Sequence, residues 1–307
     1  MAEIILNRLA LMLVFMIPGY ILLKKGIISD VGSKDIAKLL VYIILPCAVI
    51  NSYNMEFSAE KAIGLLLSFF AAAACLLLSI IVSGIIFGAK KPIENFGAAF
   101  SNAGFMGIPL VSAVIGEDAV YYAAAFVAVL NVLQWTYGVY LITGSKSAVS
   151  TKKILLNPVI ISFFIGIILF AIPLKTPDII TQTLGSISQM NAPIAMLTIG
   201  MYLAEVPIKE LFTDKRSYAA SAVRLLLIPM LTLLLLLLVP FGEYRMEQTV
   251  LILAAAPIGS NVAVYARLYG GDYKRAVKET VLSTLLSVAS MPAVIGISEY
   301  ILQNSPQ

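Results

Sequence analysis

The sequence predicts an all-α polytopic membrane protein: ten transmembrane helices in two inverted five-helix repeats, with helices 4 and 9 broken. Three observations carry this reading. The 307 residues are 60% hydrophobic and only 12% charged, against roughly 25% charged in a soluble domain. Apolar runs of bilayer length recur from end to end. Lys and Arg gather in alternate loops between those runs. No polar stretch is long enough for a separate soluble domain, so the chain reads as one membrane unit.

The expected spans are 4–23, 34–54, 62–88, 95–115, 119–143, 154–173, 178–203, 217–240, 247–268 and 274–302. The first follows Glu3 with no small-residue cleavage site, which argues against a cleaved leader. The second carries Asn51 and Pro46, a proline expected to kink it. Cys47 there and Cys75 in the third span read as small packing residues without a disulfide.

The fourth span contains Phe100-Ser101-Asn102-Ala103-Gly104-Phe105-Met106-Gly107-Ile108-Pro109-Leu110. Asn102, Gly104, Gly107 and Pro109 weaken or break a helix in the middle of a crossing. The fifth span places Asn131 and Gln134 three residues apart, on one face, with Trp135 beside them. The sixth opens at Asn157-Pro158, and the seventh holds Ser188 and Asn191 before Pro193, a second expected kink.

The eighth span carries Arg224, a basic residue well inside an apolar run but about two turns from a basic end. A functional charge and a snorkelling one are both consistent with that position. The ninth repeats the interruption as Pro257-Ile258-Gly259-Ser260-Asn261. Along the tenth, Thr280, Ser283, Thr284, Ser287 and Ser290 recur at helical spacing, as a packing stripe would.

The net charge of +4 is a topology signal and points to no nucleic-acid partner. Lys24, Lys25, Lys34, Lys38, Lys90, Lys91, Lys146, Lys152 and Lys153 lie on one side. So do Lys209, Lys215, Arg216, Arg267, Lys274, Arg275 and Lys278, whereas the other side holds only Arg8, Lys61, Lys175 and Arg245. The basic side is expected to be cytoplasmic, with both termini outside the cell membrane.

An internal repeat is expected at a shift of roughly 150 residues. Gly19-Tyr20-Ile21-Leu22-Leu23 parallels Gly166-Ile167-Ile168-Leu169-Phe170, and Leu45-Pro46-Cys47-Ala48 parallels Ala192-Pro193-Ile194-Ala195. The fourth span ends Gly116-Glu117-Asp118 and the ninth Gly270-Gly271-Asp272, whose acids read as solvated. Residues 1–145 then form the first repeat, 146–153 a cytoplasmic linker, and 154–307 the second. Five helices per repeat turn the second upside down relative to the first.

Two breaks in related helices would bring half-helix ends together near the membrane centre. Their N-terminal ends attract anions. Asn102, Ser260 and Asn261 add neutral donors and acceptors, which suits reversible binding of a small anion. Capping of their own helices is the alternative for the two asparagines. Asn131 and Gln134 either line that site or join helices; for Asn51, Ser188 and Asn191 a structural use is expected. The chain has no His, which excludes His-based relays and zinc sites, and neither a GxSxG nor an HExxH occurs. No enzyme, metal or cofactor is expected.

Several segments together resemble the auxin efflux carrier family. They are residues 101–116, Asn157-Pro158, Asn191-Ala192-Pro193, Leu197-Thr198-Ile199-Gly200-Met201-Tyr202-Leu203-Ala204, Arg224 through Pro229, and 254–272. That family includes plant auxin carriers and bacterial permeases for malonate, malate and related acids. The resemblance implies a secondary transporter of a small organic anion, working by elevator-like alternating access in the plasma membrane, as a homodimer among membrane lipids. It implies a scaffold bundle and a transport bundle, each drawn from both repeats, with broken helices 4 and 9 crossing in the latter. It also implies carboxylate binding at Asn102, with Asn261 and Gln134 as further binding residues. A sodium-coupled symporter of the bile-acid type is the nearer rival, although no Asp or Glu lies within either break. The ionisable candidates for proton coupling, Glu60 and Glu279, are expected near helix ends.

Overall fold

Helices occupy nearly all of the computed structural model, which describes residues 1–172, 176–239, 241 and 244–304. They are α1 (Ala2–Lys24), α2 (Asp30–Ser52), α3 (Ala59–Phe87), α4 (Pro92–Ala99), α5 (Ala103–Val114), α6 (Glu117–Thr143), α7 (Thr151–Leu155) and α8 (Pro158–Ala171). The chain continues with α9 (Asp178–Gln189), α10 (Asn191–Glu205), α11 (Ile208–Thr213), α12 (Lys215–Leu238), α13 (Tyr244–Ala255), α14 (Asn261–Tyr269) and α15 (Tyr273–Asn304). Among the described residues, six helices are long and apolar enough to cross a membrane: α1, α2, α3, α6, α12 and α15.

The expected spans 95–115, 178–203 and 247–268 are each divided into two helices, and 154–173 contains the 14-residue α8. Pro173 and Pro240, at the ends of two expected spans, and Lys175 lie outside the described residues.

Helix α3 shows why such a segment forms and where it belongs. Ser58 Oγ accepts the Lys61 N–H at 3.2 Å to cap it, and Glu60 in its first turn complements the helix dipole. Its 29 residues reach about 44 Å, longer than a hydrocarbon core. Ile63, Leu66, Phe70, Leu77, Ile81 and Ile85 are exposed, an apolar face that only lipid solvates well. Ser68, Ala71, Ala72, Cys75 and Ser79 face inward, and such small residues permit close approach. Ser68 Oγ donates to the Tyr122 carbonyl of α6 at 3.0 Å. Every residue of α6 from Val120 to Asn131 is buried, so this helix runs through the protein interior. Cys47 and Cys75 are both free.

Proline shapes three helices in one way. Wide π turns over Leu40–Ile44, Ala103–Gly107 and Val223–Leu227 each end two residues before a proline: Pro46, Pro109 and Pro229. A proline has no N–H for the carbonyl four residues back and its ring crowds that carbonyl, so the turn widens instead of tightening. Pro46 therefore acts through a widened turn in a continuous α2. Pro193 does something else. The chain turns at Met190, and Pro193 sits in the first turn of a new helix, α10, where its missing N–H costs least.

Two crossings rely on glycines for close approach, the first of main chain on main chain. Helix α1 packs along α10; a Cβ added to Gly19 would stand 2.1 Å from the Leu197 carbonyl oxygen, and one on Gly200 would stand 2.0 Å from that of Met16. The end of α2 packs on α8, with Gly166 against the Tyr53 ring. A second group joins α3 to α6, α12 to α15, and α13 to both α3 and α6.

For two ionisable side chains the structure supplies the burial that the sequence leaves open. Arg224 does not snorkel: it is 1% exposed. Glu279 is not at a wet helix end but fully buried. Both lie on faces turned into the helix packing, which position along the chain does not reveal. Glu60, by contrast, is exposed.

Candidate functional site

The two interrupted segments meet. Helix α4 ends at Ala99, and Phe100 and Ser101 run extended before α5; helix α13 ends at Ala255, and Pro257 to Gly259 run extended before α14. These stretches pair as an isolated antiparallel bridge between Ser101 and Ile258. The Asn102 N–H donates to the Pro257 carbonyl at 2.7 Å, and the Gly259 N–H donates to the Phe100 carbonyl at 3.0 Å. The Ile258 N–H is taken by Ser283 Oγ of α15 at 3.1 Å, so the serine stripe on α15 does more than pack. Backbone freed by each break is thereby satisfied inside the protein, the condition for irregular chain at membrane depth. Gly259 permits the crossing: a Cβ there would meet the Ser101 carbonyl oxygen at 2.9 Å.

Four helix ends converge on this bridge: the C-terminal ends of α4 and α13 and the N-terminal ends of α5 and α14. Arg224, carried in the π turn of α12, addresses the C-terminal pair. Its Nη1 donates to the carbonyls of Ala98 at 3.0 Å and Ala99 at 3.2 Å, and its Nη2 donates to that of Ala254. One buried guanidinium thus neutralises two negative helix ends. The N-terminal ends, which carry positive dipole, are left facing the other way.

On that side lies a small cavity of about 30 Å³ lined by Ser101, Asn102, Gly104, Asn131, Gly259 and Asn261 together with apolar side chains of α2, α6 and α8. No acidic residue lines it. That is room enough for a water molecule. The side chains at the breaks do not cap their helices. Asn102 is 4% exposed and its Nδ2 has no hydrogen-bond partner. Leaving such a donor unmet costs about 1–3 kcal/mol. Asn261 Nδ2 donates to Gln134 Oε1 at 2.9 Å, so Gln134 reaches the site through Asn261. Asn131 both lines the cavity and joins helices: its Nδ2 donates to Val127 O at 2.8 Å, and its Oδ1 accepts from Asn157 Nδ2 at 3.5 Å.

The remaining expected residues divide. Ser260 and Pro257 are in the crossing segment but not in the cavity wall, and the Pro257 carbonyl is used by the bridge. Gly107 lies against Leu253, where a Cβ would be 2.5 Å from its Cδ2. Pro109 lines a separate vestibule of about 870 Å³, together with Arg8, Asn51, Lys61, Ser188 and Asn191. Asn191 stands between the two spaces, because its Nδ2 also donates to the Gly104 carbonyl at 2.9 Å. Sequence reasoning gave Asn51, Ser188 and Asn191 no such place and did not single out Ser101. The only signal available for Asn191 was its position just before a proline. Glu117 and Asp118 are exposed but engaged: Glu117 accepts from Ser112 Oγ, and Asp118 binds Arg245 at 2.8 and 2.9 Å. Both Gly116 and Gly270 take positive φ, +127° and +75°, at the matching ends of α5 and α14.

Comparison with known proteins places this geometry in context. A family model described as "Membrane transport protein" matches residues 4–295. The protein named "Putative malonate transporter" of Rhizobium meliloti (strain 1021) is 28% identical over 67% of each chain. An "Uncharacterized transporter" of Methanothermobacter thermautotrophicus (strain Delta H) is 22% identical over 91% of this chain and 94% of its own.

Proposed function

We propose, from the premise that the chain belongs to the membrane transport protein (auxin efflux carrier) family and is a transporter rather than an enzyme, that it carries a small organic anion. In this reading its carboxylate binds at the crossing of the two broken segments. The observation that carries the proposal is the buried Asn102 Nδ2, unpartnered at a cavity between two helix N-termini. A carboxylate oxygen supplies the missing acceptor, and the positive helix ends supply a field that needs no fixed charge on the site. A dicarboxylate of malonate size is the first candidate, taken from the relative's name.

The architecture we infer is ten spans in two inverted repeats, 1–145 and 154–307 joined by 146–153, in the cell membrane with both termini outside. Matching glycine-ended helices after each break and the mutual pairing of the breaks support it. Transport follows an elevator cycle in which α3–α6 and α12–α15 carry the site past α1, α2 and α8–α10. The contacts that such a motion must break include Asn191 Nδ2 on the Gly104 carbonyl and Asn157 Nδ2 on Asn131 Oδ1. The water-sized cavity then represents a contracted state that opens for its anion. We further propose a homodimer among membrane lipids as the working form.

Purified protein in liposomes tests this. Entry of labelled malonate in exchange for unlabelled carboxylate is expected, and Asn102→Ala is expected to abolish it in a protein of unchanged thermal stability. Exchange that survives both Asn102→Ala and Asn261→Ala would remove the site from the crossing.

A further inference from the structure

Glu279 is the buried ionisable group that the anion site leaves unused. It is 0% exposed and neither carboxyl oxygen has a hydrogen-bond partner. An ionised carboxylate in such a place lacks every group that would replace its water. The fold nevertheless makes room for it. Gly97 of α4 lies against the carboxyl, where a Cβ would stand 2.8 Å from Oε2, and the Ile258 side chain of the crossing rests on the same glycine. One turn further along α15, Ser283 holds the Ile258 N–H. The carboxyl therefore lies against α4 just before its break, one helical turn from the serine that holds the other broken segment.

Charged groups around it are accounted for elsewhere. Among them Glu94 of α4 acts on it most strongly, with Arg275, Asp214 and Asp272 further off. Glu94 lies 3.8 Å from both Arg216 and Arg275, and Arg275 is shared with Asp214 at 3.3 Å and Asp272 at 3.4 Å. Lys278, beside Glu279 in sequence, turns outward to Glu210 at 2.7 Å; its hydrogen bond holds the Glu210 carboxyl below the usual range. From α12, Arg224 is spent on the helix ends. On α10, Glu205 accepts from Tyr273 Oη. On α14, Arg267 covers the Tyr273 ring, and on α1, Lys24 donates to the Ala204 carbonyl. Among the charged groups of α13, Arg245 binds Asp118 and Glu247 accepts the Phe241 N–H. Exposure falls from 55% at Asp272 through 24% at Arg275 to 3% at Glu94 and zero at Glu279. Burial thus increases stepwise from the basic end towards the carboxyl.

We propose that Glu279 is a proton-binding site that couples anion movement to proton movement, an inference that rests on the transporter reading above. One proton from water at the basic end forms an O–H bond on Glu279 and is returned to water after the carrier has changed sides. Protonation removes a negative charge from beside the crossing while the anion is bound there.

Two measurements decide it, both on the full chain. Infrared difference spectra of wild type against Glu279→Gln in lipid are expected to contain a protonated-carboxyl band that the variant lacks. In liposomes, malonate accumulation driven by a pH gradient is expected for wild type and lost in Glu279→Gln, while counterflow exchange without a gradient persists in the variant. A sodium gradient alone is expected to drive nothing. The proposal is overturned by infrared spectra in which the substitution removes no such band, or by accumulation that ignores the pH gradient or survives the substitution. Should wild type exchange no carboxylate at all, the transporter reading fails, and the infrared comparison still decides the proton site.

Discussion

Replacing Arg224 by Met should destabilise the protein, and the sign of that effect is informative. The guanidinium makes three hydrogen bonds to carbonyls at the ends of α4 and α13. Bonds to a charged group contribute about 1.5–3 kcal/mol each, so about 4.5–9 kcal/mol is lost. Against this, methionine no longer has to be stripped of water as an ion, a relief of several kcal/mol. Buried ion pairs replaced whole by apolar residues often gain stability for that reason. Here the acceptors are main-chain carbonyls that no substitution removes, so they remain buried and unmet. A net loss of about 3–5 kcal/mol is expected, as for a buried ion pair that loses one partner. Arg224→Lys should recover about 2 kcal/mol of it, since one ammonium reaches fewer carbonyls than a planar fork. Denaturant unfolding in detergent micelles, followed by circular dichroism, measures both variants. A methionine variant as stable as wild type, or more so, would refute the claim that Arg224 holds the two helix ends.

Asn102→Asp should weaken malonate binding more than Asn102→Ala. The alanine loses one hydrogen bond to a charged ligand, about 1.5–3 kcal/mol or ten- to a hundred-fold in Kd, and the aspartate adds repulsion; calorimetric titration reads both. Gln134→Leu strands Asn261 Nδ2 and should cost about 1–3 kcal/mol. A double-mutant cycle with Asn261→Ala should then give a coupling of at least about 0.5 kcal/mol. Gly200→Ala pushes a methyl into the Met16 carbonyl and should cost about 1–3 kcal/mol by overpacking, read as a lower melting temperature. Asp118→Asn removes an exposed ion pair with Arg245 and should change stability by less than about 1 kcal/mol, which the same melting assay checks.

Composition and charge placement made the helical membrane class legible, because the bilayer imposes length and apolarity on every span. Both interruptions were equally legible, since Asn102, Gly104, Pro109, Pro257 and Gly259 are poor helix formers by local physics alone. What local physics omits is rotation about each helix axis. Arg224 near a basic helix end is compatible with water or with the interior, and only the packing of α12 on α4 and α13 decides. The same holds for Glu279, whose carboxyl is covered by Gly97 of α4, eleven helices earlier in the chain. The division at Met190 escaped notice because Pro193 in the first turn of a helix resembles Pro193 inside one. Ser101 stayed hidden for another reason: its part in the bridge is made by main chain, which the identity of a side chain does not report.

The bridge between Ser101 and Ile258 has a consequence for how such a protein can change its diet over evolutionary time. What binds one broken segment to the other is peptide hydrogen bonding, which needs glycine at 259 but uses no side chain of Ser101 or Asn102. Holding and choosing are therefore assigned to different atoms. Side chains at 101, 102 and 261 can be exchanged for others of similar bulk to suit a longer, shorter or aromatic acid, while the knot of main chain beneath them stays tied. A lineage can thus try new cargoes one substitution at a time without first dismantling the place where cargo sits.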